Sequence, residues 1–211
     1  MTKVQAISKY AGQDSAPNTD PLSEFWRNAP GIAMDADGYG NKVAGHSTEV
    51  RSRWTASNLY LLFICPYEEL HLKPDPVLDR SIWELWKWDV AETFIGSQRD
   101  PIYRYREFEM SPQGEWLDLD IDLQQPDKLA VTSWRSGFQV AARIQRDQKI
   151  WHGAMRIPHA SIEAGDAAPG NLLRINYFRS QGSKPIEMAW QPPMQASFHA
   201  PEKFGTLKLV L

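Results

Sequence analysis

Trp83, Trp86 and Trp88 lie within six positions of one another in the stretch SIWELWKWDVAETFIG, and Asp89 and Glu92 follow directly. Tryptophan supplies the largest rigid apolar face of any side chain, together with one N–H donor. A carboxylate supplies two strong acceptors that engage adjacent hydroxyl groups. The pairing suits a flat ligand with one apolar face and a polar rim, which is how a pyranose ring presents itself. A further tryptophan, Trp190, stands in AWQPP, an aperiodic, proline-rich segment that reads as a loop, and loops carry sites more often than cores do. Trp83 and Trp88 read as braces of a sheet edge, and Trp54, Trp116 and Trp151 as core or sheet-face residues, since they fall inside strand-like segments.

Other acidic groups invite other chemistry. Glu107 and Glu109 share a strand face by parity. A glycosidase needs two carboxyls on opposite sides of a sugar, which two neighbours on one face provide poorly. Asp118, Asp120 and Asp122 alternate with Leu117, Leu119 and Ile121, so three carboxylates line one face. They read first as a solvated acidic face and second as candidate oxygen ligands for calcium. The five histidines show no paired metal spacing, and Cys65, the single cysteine, sits in LYLLFIC as a small buried hydrophobe.

The elements that hold these residues are short. Fifteen prolines punctuate the 211 residues, and no amphipathic run of helix length occurs. TEVRSRW alternates, LYLLFIC is continuously apolar as in a strand buried on both faces, and residues 66–80 read as a loop. IYRYREFEM and EWLDLDID form a hairpin about Ser111-Pro112-Gln113-Gly114. GFQVAARIQ, KIWHGAMRI, LLRINYFRS and GTLKLVL are further strands, and PHASIEAGD offers one helical turn. These predict an all-β, jelly-roll or immunoglobulin-like antiparallel β-sandwich spanning residues 1–211 as one domain, with 1–20 an extended N-terminal segment. Net charge is −3 with both signs interspersed, which leaves no footprint for nucleic acid or an anionic membrane. No apolar run is long enough to span a bilayer. MTKVQAISKY lacks the apolar stretch of a signal peptide, which is compatible with an intracellular chain or with a leader already removed.

Several motifs occur in an order that resembles carbohydrate-binding module family 9, and more closely its bacterial family 9-like relatives. They are Trp54 with Leu59-Tyr60, then Trp86-x-x-Asp89-x-x-Glu92-x-Phe94-Ile95, and Glu107-Phe108-Glu109 with Ser111-Pro112-x-Gly114-x-Trp116. Arg174-Ile175-Asn176, Trp190 and Phe198-His199-x-Pro201-Glu202-x-Phe204-Gly205-x-Leu207 follow, so the resemblance covers residues 20–211. It implies a jelly-roll-like sandwich with a non-catalytic role, in which Trp86 and Trp190 clamp a terminal sugar, mono- or oligosaccharide, between them. It also implies that Glu92 and Asn176 hydrogen-bond the sugar's hydroxyls. The family places an arginine after the hairpin phenylalanine to meet a reducing end; here that position is Glu109, so Arg106, Arg104 or Arg179 would have to supply the guanidinium. A haem-binding electron-transfer domain of a related sandwich type, with Met and His ligands, and a protein-interaction module are the alternatives.

Overall fold

The computed structural model describes residues 4–125, 134–162 and 166–211. Among these, thirteen strands form. They are β1 (Gln5–Tyr10), β2 (Gly31–Met34), β3 (Ala36–Asp37), β4 (Thr48–Trp54), β5 (Asn58–Pro66), β6 (Val90–Ser97), β7 (Arg104–Met110), β8 (Trp116–Asp122), β9 (Gln139–Gln145), β10 (Ile150–Pro158), β11 (Leu172–Gln181), β12 (Ile186–Ala189) and β13 (Gly205–Val210). One turn of helix, α1 (His159–Ile162), opens the predicted helical segment, of which residues 163–165 lie outside the described residues.

A single hydrogen-bonded path runs β8-β7-β6-β11-β13-β1-β4-β5-β10-β9, and β2, β3 and β12 attach beside it. Neighbours are antiparallel except at β1, which runs parallel to both β13 and β4. β1 pairs with β13 from Gln5 to Lys9 and with β4 only at Lys9 and Tyr10. It thus passes from one half of the sheet to the other, and the sheet curls over on itself there. The segment expected to be merely extended is therefore a linking strand. Its pattern is inverted by residue type, with Ala6 and Ser8 buried and Ile7 exposed.

The two halves close on one core. Phe108 and Met110 of β7 meet Trp151 and Met155 of β10, with Leu59, Leu61 and Phe63 of β5 beneath. Gly153 makes this approach possible, since a β-carbon there would stand 2.7 Å from the Met110 sulfur. Cys65 is fully buried, and burial pushes its thiol up to about 11. The β7–β8 turn forms as its sequence predicts: Ser111 N donates to Glu115 O at 2.9 Å, and Gly114 takes a positive φ of 93°.

The other face of β6, β7, β8 and β11 is also covered. Phe94, Tyr105, Ile121, Phe178 and Phe204 form a second apolar cluster, with Leu119 and Phe198 at its margin. Leu85, Val90 and Leu117 form a third beneath the tryptophan-rich loop. These two clusters flank the site.

Candidate functional site

The tryptophan-rich loop folds as a tight turn. Glu84 adopts the left-handed conformation (φ 62°), and Leu85–Lys87 follow as a 3₁₀ turn. The left-handed Glu84 reverses the chain between Trp83 and the 3₁₀ turn. Leu85 therefore points inward, fully buried against Val90 and Leu117, while Trp83 and Trp86 emerge together. Their rings meet edge to face at 5.0 Å and 81°, and they remain 56% and 38% exposed. The loop is tied at both ends. Ile82 N donates to Trp116 O at 2.8 Å, Trp88 stacks on His71 at 4.5 Å, and Asp89 accepts from Gly182 N at 2.6 Å. Trp88 is the expected brace; Trp83 instead shares the exposed surface of Trp86.

Beneath the two indoles lies a cavity of about 330 Å³, walled on the far side by Ala196, Phe198 and His199. The far wall is fixed by ring stacking. Phe198 lies on Phe178 at 4.2 Å, His199 lies on Phe94 at 5.3 Å, and the His199 Nδ1 and Tyr105 hydroxyl are 2.5 Å apart.

The floor is acidic. Strand register places Glu92 of β6 directly opposite Glu109 of β7, and Glu107 lies two residues along on the same face, opposite Phe94. One oxygen from each of the three carboxyls can be chosen so that all lie within 4.8 Å of one another. All three are buried, yet all line the cavity. Among the described residues neither oxygen of Glu109, nor Glu107 Oε2, accepts from an N–H or hydroxyl, and the two carboxyls hydrogen-bond to each other through a retained proton. Burial raises Glu92 well above the usual carboxylate range, and Glu107 and Glu187 add to this. Glu109 is raised well above that range by burial and then by Glu92 and Glu107, and burial lifts Glu107 to about 7. The crowded trio therefore keeps protons at neutral pH. Such a floor can accept hydrogen bonds, donate through a retained proton, or take up a cation.

The remaining residues marked in the sequence lie elsewhere. Trp190 does not line the cavity. Its ring leans on Tyr177 at 5.5 Å and packs over Gly205, where a β-carbon would stand 2.5 Å from it. Asn176 spends its side chain on the backbone, donating to Gln191 O at 2.8 Å and accepting from Gln191 N and Tyr177 N. It thereby pins the start of the segment that carries Ala196, Phe198 and His199. Arg106 points to the opposite face of β7, 2.6 Å from Asp120 and over the Trp134 ring. Arg179 also faces inward, donating to Thr48 Oγ1, Pro66 O and Gln181 Oε1.

The aspartate row is not the solvated face its alternation suggests. Asp120 is buried and faces Arg106 and Arg104, Asp118 accepts from Ser136, and Asp122 accepts from Gln124 N. Met34, Met110, Met155 and Met188 belong to the main core and none opens onto the cavity. Trp83, Glu107, Ser180, Glu187 and Phe198 line the cavity without having been assigned to a site in the sequence. The three-residue spacing of Trp83 and Trp86, in a stretch too short for a helix, was the available signal.

No protein-family model matches the sequence. The chain is 24% identical over 213 residues to endo-1,4-beta-xylanase A of Thermotoga maritima; the match covers 99% of this chain but spans only 18% of the xylanase's length. An extracellular protein of Arthroderma benhamiae is 27% identical over 180 residues, covering 77% of this chain and 78% of the relative. Among solved structures, a candidate carbohydrate-binding protein from Bacteroides uniformis superimposes with a TM-score of 0.77 at 16% identity, covering 99% of this chain and all of the other. A carbohydrate-binding module family 9 from Caldicellulosiruptor kristjanssonii, solved with glucose and again with cellotriose, gives a TM-score of 0.65 at 12% identity over 98% of this chain. The chain thus shares the β-sandwich fold of the family 9 module.

Proposed function

We propose that this protein binds a carbohydrate without catalysing its cleavage, at the cavity beneath Trp83 and Trp86. The observation that carries the reading is the pair of exposed indoles set directly beside hydrogen-bonding carboxyl groups, an arrangement a hydrophobic core would not leave open. A sugar ring lays its C–H face on the indole surface, and its hydroxyls reach Glu92, Glu109 and Ser180. The family 9 module from Caldicellulosiruptor kristjanssonii, which shares the fold, was solved with glucose and with cellotriose, and this supports a sugar as the ligand class.

The platform is Trp83 with Trp86, and Trp190 packs away from the cavity against Tyr177 and Gly205. The carboxyls lie together on one floor, on adjacent strands. A hydrolase instead sets its two carboxyls on either side of the scissile bond, which supports a binding role.

Tryptophan fluorescence titrated with glucose, cellotriose and xylobiose tests the proposal. A saturable shift is expected in the parent protein, weakened at least tenfold in Trp86→Ala and only modestly in Trp190→Phe. A shift that survives Trp86→Ala unchanged would remove the platform from the mechanism. Release of reducing ends from xylan or cellulose would overturn the non-catalytic reading.

A further inference from the structure

Four glutamates, Glu92, Glu107, Glu109 and Glu187, line the cavity, and among the described residues no lysine or arginine does. A site for a neutral sugar ordinarily mixes acceptors with amide and guanidinium donors, because each hydroxyl both donates and accepts. Here Ser180 and His199 line the cavity, but among the described residues no amide or guanidinium group does. Asn176 holds Gln191, Arg179 holds Thr48, Pro66 and Gln181, and Arg106 lies on the opposite sheet face beside Asp120. Glu109 is 0% exposed, and among the described residues its oxygens and Glu107 Oε2 meet no donor except a proton shared between the two carboxyls. The trio keeps protons in the free protein, and a cation bound among the three carboxyls would take the place of those protons.

We propose, building on the sugar-binding reading, that the cavity selects an amino sugar, with the ligand's ammonium group seated among Glu92, Glu107 and Glu109. The geometry suits that group. An ammonium presents three N–H donors in tetrahedral directions. Three charge-assisted bonds of about 2.8 Å place their acceptors roughly 4.6 Å apart, and the three carboxyl oxygens lie within 4.8 Å of one another. Trp83 and Trp86 then hold the ring and add cation–π attraction to the ammonium. The cavity, at about 330 Å³, stands at the small end of the roughly 300–1,000 Å³ range of ligand pockets and suits a single ring. A hard metal ion would use the carboxyls and leave the indole wall without a role, which favours an organic cation.

Isothermal titration calorimetry of the full chain at neutral pH, with glucosamine, N-acetylglucosamine, glucose, ethylamine and calcium chloride in separate arms, tests this. Glucosamine is expected to bind at least tenfold more tightly than glucose or N-acetylglucosamine, and Glu109→Gln to erase that preference. Glucose binding as tightly as glucosamine would overturn the ammonium seat while leaving the sugar reading intact. Ethylamine binding as tightly as glucosamine, or calcium displacing glucosamine from the trio, would also overturn it. No heat with any sugar would remove both. Glu109→Gln is isosteric and discharges a buried acid, and the comparison among ligands stands without it.

Discussion

Three carboxyls buried on one sheet face set how the free protein responds to pH. Glu92, Glu107 and Glu109 all hold their protons to higher pH when folded than the 4.5 typical of an unfolded glutamate, and Glu187 facing them shifts the same way. The stability they contribute is fully present below about pH 4.5. It is lost as pH rises through the folded values, that of Glu107 being about 7. Asp14 works in the opposite sense, held below 3.8 mainly by its hydrogen bond from Thr55, so it matters only in stronger acid. Burial also depresses His152, to about 4, and His159, and both add stability as pH rises towards 6.5. Thermal unfolding followed by circular dichroism should therefore show the trio above that range: Tm should fall from pH 7 to pH 8.5, by several degrees, and less steeply in Glu109→Gln. A Tm that climbs across this interval would contradict the crowded trio. Arg179 makes a second test at this scale. It is fully buried and joins β11 to Thr48 and Pro66, so Arg179→Ala should cost about 3 kcal/mol in urea unfolding and leave sugar affinity unchanged. That Trp86, Glu92 and Glu109 would lie at one surface was legible in the sequence, and all three line the cavity. Whether Arg106 and Arg179 face a cavity or a core was not, because that depends on which side of each strand the folded-over sheet encloses.

Single elements explain which parts of the fold the sequence reveals. β4, β5, β8 and β10 are long enough to display alternation or a continuous apolar run, and their bounds match the reading within a few residues. β3 has two residues and β12 four, too few for any period to show. The parity of β8 is legible in its alternation, but its aspartates are not one solvated face: Asp120 is buried against Arg106, while half-buried Asp118 accepts from Ser136. The tryptophan loop rests on one anchor. Leu85 is fully buried between Val90 and Leu117, so Leu85→Ala should cost about 2–5 kcal/mol and weaken sugar binding at least tenfold. Affinity that holds at wild-type strength in this variant would show that the loop keeps its shape without the anchor.

At the scale of the molecule, β1 joins the two halves of the sheet, and one core draws side chains from both. Unfolding should therefore be a single transition, with tryptophan fluorescence and far-ultraviolet circular dichroism coinciding. Deleting residues 1–10 should abolish it or split it in two. Coincident, undiminished transitions in the truncated chain would show that β13 and β4 do not need the strand between them. The same strand has a mechanical consequence. Gln5 lies beside Thr206 and Lys9 beside Val210, so the first and last strands run side by side in the same direction. A pull on the two ends of the chain loads this pair in shear, along the strands and across all their hydrogen bonds at once, instead of peeling the bonds apart one by one. Tethered between neighbours in a longer chain, the sandwich would resist tension with its terminal strands as the clasp.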